Sequence, residues 1–151
     1  MGGATAAATT LALVAGIAGS VQVAVMGRFG ERIGSFEALV ANLAFSTLLA
    51  ALLLLVLRQG FGGLGDAIRS PWWYWLGGGG MGVLVVFSIT FCAPRIGTSA
   101  TIGVLIAGQL AMGVVIDRFG LFGVEQVALG WTQLLGILLL AAGAALALYR
   151  P

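Results

Sequence analysis

The stretch ALVANLAFSTLLAALLLLVL, residues 38–57, carries no charged side chain and no proline. A helix rises about 1.5 Å per residue, so a run of this length crosses the roughly 30 Å hydrocarbon core of a bilayer. Working outward, four more uncharged runs of similar length cover residues 1–27, 70–94, 98–116 and 126–149. Every charged residue falls between or beside these five runs.

The composition agrees: 60% of residues are hydrophobic and 8% charged, with a mean hydropathy of +1.12. Soluble domains carry about 25% charged residues. Too little chain lies outside the runs for a soluble catalytic or nucleic-acid domain of ordinary size. Transmembrane β-strands alternate over about 10 residues, whereas these runs stay apolar for about twice that, so the expected fold is all-α. The chain reads as a single five-helix polytopic membrane domain over residues 1–151, with helices near 4–26, 35–57, 71–93, 98–117 and 127–149. Residues 1–10 hold no basic residue and the run behind them is long, so the first helix is expected to be retained rather than cleaved as a signal.

Helix starts are marked by Ser35, by Ser70 with Pro71, and by Thr98 or Ser99, residue types that cap or open helices. Trp72, Trp73, Tyr74 and Trp75 gather at the opening of the third helix and Trp131 near that of the fifth. Such amphipathic rings sit at headgroup level. Glycines inside membrane helices let backbones approach, and Gly78 and Gly82 on the third helix have the four-residue spacing of a close crossing. Gly108 and Gly113 stud the fourth helix. Packing is the expected role of each, and the run containing Gly77 and Gly78 is also expected to unwind or hinge, since each glycine lowers helix propensity by about 0.8–1 kcal/mol. The single cysteine, Cys92, reads as a small apolar filler.

Five helices place the termini on opposite faces. Arg58, Arg69 and Arg118 lie on one side and Arg28, Arg32, Arg95 and Arg150 on the other, a near balance. Orientation follows the arginine and lysine excess, so this chain barely specifies its own. Weak loop bias resolved by a partner or by the insertion machinery explains this. So does dual topology, in which oppositely inserted copies pair as an antiparallel homodimer and build the inverted repeat that many transporters carry in one chain.

Polar groups deep in the spans are few, and such groups mark solute pathways. Gln22, Asn42, Ser46 and Gln109 form the candidate substrate-binding set, with Trp72 and Trp73 as gating or anchoring rings. Amides offer donors and acceptors without formal charge, which suits a polar solute; interhelical hydrogen bonding is the alternative role. Glu37, in the first turn of the second helix, and Asp117, at the end of the fourth, are the coupling candidates. A helix dipole favours the first and disfavours the second, and Arg118 beside Asp117 offers a charge pair instead. With no histidine, the commonest general base is absent, and no nucleophile set, metal-ligand set or phosphate loop is seen. The chain is expected to be no enzyme, to need no cofactor and no metal, and to bind no nucleic acid, its arginines being scattered.

The chain resembles the five-helix YdcZ family of the drug/metabolite transporter superfamily over nearly its whole length. The motifs that carry this are Val21-Gln22, Pro71-Trp72-Trp73-Tyr74-Trp75-Leu76-Gly77-Gly78, Pro94-Arg95-Ile96-Gly97, Gly108-Gln109, and Asp117-Arg118-Phe119-Gly120-Leu121-Phe122-Gly123. Gly27 stands where the family usually has asparagine and Arg118 where it usually has histidine. The resemblance implies a bacterial inner-membrane secondary transporter. It favours a ten-helix antiparallel dimer, since larger relatives look like two five-helix halves in one chain. The expected function is export of a small polar or cationic organic solute by alternating access in such a dimer. A passive dual-topology channel and a non-transporting membrane subunit are the alternatives.

Overall fold

A computed structural model describes residues 3–58, 63–128 and 130–148. Tyr149, the expected end of the fifth helix, and Arg150 of the arginine balance lie outside them. Five helices are long and apolar enough to cross a membrane, and no strand occurs among the described residues. They are α1 (Gly3–Ile33), α2 (Ser35–Arg58), α3 (Trp72–Ile96), α4 (Thr98–Phe119) and α5 (Trp131–Leu148). A short helix, Leu64–Arg69, joins α2 to α3.

The helix ends depart from the expected bounds for local reasons. α1 runs on past residue 26 to Ile33, because Arg28 and Glu31, which read as loop charges, pair at 3.2 Å one turn apart on the helix surface. It stops at Gly34, whose φ of +102° suits glycine alone, and α2 begins at the next residue. Ser35 is thus the first residue of α2 rather than a residue preceding it. Ser70 does not cap α3: its Oγ donates to the Asp66 carbonyl at 3.0 Å and so closes the short helix behind it. Pro71, with ψ of 140°, then turns the chain, and α3 opens at Trp72 without a side-chain cap. α4 likewise opens at Thr98 with no cap from Thr98 or Ser99; Gly97, at φ +87°, makes the break, and Thr101 Oγ1 donates to its carbonyl at 2.8 Å.

α5 begins at Trp131, not near residue 127, because the preceding residues serve the end of α4. The backbone N–H of Val127 donates to the Asp117 carbonyl at 3.0 Å and Gln126 Nε2 donates to that of Phe119 at 3.3 Å, satisfying carbonyls that the helix end leaves open. Gln133 then reaches back so that its Oε1 accepts from the Gly130 N–H at 3.1 Å, the side-chain return expected at a helix start.

The chain divides into two compact units, Met1–Ala24 with Arg95–Pro151, and Val25–Pro94. In the first, α4 lies against α5 where Gly103 faces Ala144: a Cβ at Gly103 would stand 3.3 Å from Ala144 Cα. In the second, the end of α1 crosses the C-terminal half of α3. Gly27 faces Ala93 and Gly30 faces Thr90, a pair of small residues three apart on each helix. A Cβ would stand 2.9 Å from Ala93 Cβ at Gly27 and 2.5 Å from Thr90 Cγ2 at Gly30. Pro94 helps make this approach possible: it has no N–H to give to the Thr90 carbonyl four residues back, and that carbonyl lies 3.2 Å from where the Gly30 Cβ would be. Phe36 and Phe87, with ring centroids 4.8 Å apart, and Phe87 with Phe91 at 5.8 Å, extend the same packing along α3.

Candidate functional site

A hydroxyl inside a membrane helix has a ready acceptor in the carbonyl four residues back. Thr9, Thr10, Ser20, Thr47, Ser88, Thr90 and Thr101 all take it, at 2.8–3.1 Å. An amide side chain is longer and has both donors and acceptors to satisfy, so its own helix cannot serve it in this way.

Gln22 and Gln109 belong to the first unit. Gln109 stands halfway along α4 and is exposed; it is nine residues from buried Ala100, which at 3.6 residues per turn puts it on the opposite face. Gln22 is exposed on α1, about 100° round from buried Val23. In the second unit, Asn42 is half-buried on α2, four residues from fully buried Ala38, and exposed Ser46 continues that face one turn on. None of these four side chains has a hydrogen-bond partner among the described residues. Ser46 differs in this from its neighbour Thr47, whose hydroxyl donates to the Leu43 carbonyl.

The acids lie toward helix ends. Glu37 is exposed in the first turn of α2, and its carboxylate folds back over Gly34 into the space that a Cβ there would fill. Phe36, Glu37, Val40 and Ala41 line an open groove along α2. Asp117 is half-buried, and its backbone carbonyl receives the Val127 N–H. Neither acid has an ion pair among the described residues, so the charge pair between Asp117 and Arg118 does not form.

At the opening of α3, Trp72 is exposed and the Trp73 and Tyr74 rings stack at 3.8 Å. The residues that follow, Trp75–Gly80, form a π-helix before α-geometry resumes at Met81. A Cβ added at Gly77, Gly78, Gly82, Gly108 or Gly113 would meet nothing within 4 Å. Among the described residues, therefore, the close helix crossings inside each unit are made by Gly27 and Gly30 on α1 and by Gly103 on α4. The pattern in the sequence that marks the α1–α3 crossing is the matched three-residue spacing of Gly27 with Gly30 and Thr90 with Ala93.

A profile of the family described as "Putative inner membrane exporter, YdcZ" matches residues 7–146. The protein "Inner membrane protein YdcZ" of Escherichia coli (strain K12) is 34% identical over 134 residues, which covers 87% of this chain and 88% of that protein. No solved structure matches.

Proposed function

The chain belongs to this YdcZ family of inner-membrane exporters, as a multi-pass protein with five membrane-spanning helices, and from that premise we propose how it exports. Two copies, inserted in opposite orientations, form an antiparallel homodimer of ten helices that moves a small polar or cationic organic solute by alternating access. Gln22 and Gln109 bind the solute, Asn42 and Ser46 position it, and Trp72 and Trp73 gate or anchor. Glu37 and Asp117 are the groups available for coupling.

One observation carries the reading. The hydroxyls named above bond to their own helices, while Gln22, Asn42, Ser46 and Gln109 have no hydrogen-bond partner among the described residues. An unsatisfied polar group in hydrocarbon costs several kcal/mol, so these side chains need either a solute or another chain. An inverted second copy supplies the second half that many secondary transporters carry as an internal repeat.

The same observation favours a second reading, a non-transporting subunit whose amides bond only to partner helices at about 0.6 kcal/mol each. A panel of radiolabelled polar and cationic solutes, tested in proteoliposomes with native protein and with Gln109→Ala, separates the two. Loss of flux with intact dimer supports the export site; unchanged flux removes Gln109 from it. A channel is recognised by flux far above the microsecond-to-millisecond limit of a conformational cycle.

A further inference from the structure

We propose that the π-helical run Trp75–Gly80 is a register switch: it rotates the tryptophan-bearing end of α3 about the fixed remainder and, on the export reading above, is the moving part of the transport cycle. A π-turn holds one residue more than α-geometry over the same axial length, and such turns are rare, short and concentrated at functional positions. When the run relaxes to an α-helix, that extra residue is taken into the regular spiral. Everything on one side of it then turns by about 100° and shifts by about 1.5 Å relative to the other side.

The structure decides which end turns. The C-terminal end of α3 is held in its own unit by Gly27 against Ala93, Gly30 against Thr90, and the rings of Phe36 and Phe87. The N-terminal end, Trp72–Tyr74, is exposed and is joined to the short helix before it through Pro71, where the backbone is extended. Amphipathic rings at headgroup level favour depth over direction, so the tryptophans can change the face they present without leaving the interface.

The run is also unobstructed. A Cβ at Gly77, Gly78 or Gly79 would meet nothing within 4 Å, and one at Gly80 would meet only the Leu76 side chain of the same run, at 3.4 Å. Four consecutive glycines leave no side chain to be dragged through a neighbour, and they lower the barrier between backbone states. Rotation would carry Trp72 and Trp73 between two faces of α3, which is what a gate requires.

The test needs no solute. Full-length protein in lipid nanodiscs is followed by hydrogen–deuterium exchange and thermal unfolding, alongside two single-residue deletions, of Gly79 inside the run and of Ser88 in the regular helix between the clamp residues Phe87 and Thr90. In the native protein, peptides over residues 75–81 should exchange at least about tenfold faster than those over 83–92, as expected of a segment that opens locally. Deleting Gly79 removes the extra residue and leaves both ends facing as they do now, so this variant should fold, match or exceed native thermal stability, and slow that exchange by about tenfold. Deleting Ser88 instead shifts Phe87 by about 100° relative to Thr90 and Ala93, so it should misalign the clamp and lower the unfolding temperature. Equal native exchange over 75–81 and 83–92, or damage from the Gly79 deletion as large as from the Ser88 deletion, overturns the switch. Because no transport is measured, that result is separate from failure of the export reading, which the proteoliposome panel reports.

Discussion

Replacing Gly30 with alanine should destabilise the protein, although alanine is the better helix former. The new Cβ would stand 2.5 Å from Thr90 Cγ2, where carbon pairs settle at about 3.5–4.0 Å. Thr90 has no easy escape: it is fully buried, its Oγ1 is bonded to the Val86 carbonyl at 2.8 Å, and its own carbonyl is 3.2 Å from the same Cβ. The helices must part, which also loosens the contact of Gly27 with Ala93. Overpacking of this kind costs about 1–3 kcal/mol. The propensity gain of alanine over glycine returns at most about 1 kcal/mol. An overlap as close as 2.5 Å belongs at the upper end of that range, so the net loss should be about 2 kcal/mol. Thr90→Ser removes Cγ2 and keeps the hydroxyl bond, so Gly30→Ala made on that background should cost less, with a coupling of about 1 kcal/mol. The measurement is reversible unfolding in mixed micelles, followed by circular dichroism for the four members of the cycle. A neutral or stabilising Gly30→Ala, or strict additivity with Thr90→Ser, would refute the close crossing.

Other outcomes follow from the same geometry. Gly78→Ala, placed where a Cβ meets nothing, should leave thermal stability of the single chain unchanged or raised. Gly34→Ala puts a side chain at φ +102° and drives its Cβ into the Glu37 carboxylate, so unfolding in micelles should show a loss of about 1–2 kcal/mol. Gln126→Ala removes the donor to the Phe119 carbonyl and should cost about 0.5–1.5 kcal/mol, seen as faster amide exchange across the end of α4. Gln109→Leu should abolish solute flux in proteoliposomes while unfolding and helix content stay native, because the exposed amide has no partner to lose among the described residues.

The five spans were legible because the absence of charge over about 20 residues has one physical meaning, and local competition hardly affects it. Helix ends were less so. Ser70 carries the right chemistry for a cap, but its hydroxyl is bonded to Asp66, and Gln126 is drawn to the carbonyl of Phe119 instead of opening the next helix. Arg28, Glu31 and Arg32 look like loop charges, yet they ride a helix that outlasts the apolar run. Among the glycines, counting could not tell contact from open face: Gly30 meets Thr90 while Gly78 and Gly108 meet nothing, and only the crossing partner decides that. The polar candidates were all nameable from sequence, since few polar side chains lie in the spans. That the hydroxyl of Thr47 bonds to Leu43 while that of Ser46 has no partner among the described residues depends on side-chain rotation, which the residue type does not fix.

The antiparallel homodimer is tested most directly by topology. A fluorescent reporter active only in the cytoplasm and an enzyme active only in the periplasm are fused, separately, after the last residue, and their activities are compared per copy of protein. The account predicts comparable activity from both, as two populations of opposite orientation require. Activity from one reporter alone would contradict it, because a single orientation cannot build the inverted pair on which the proposed export site depends.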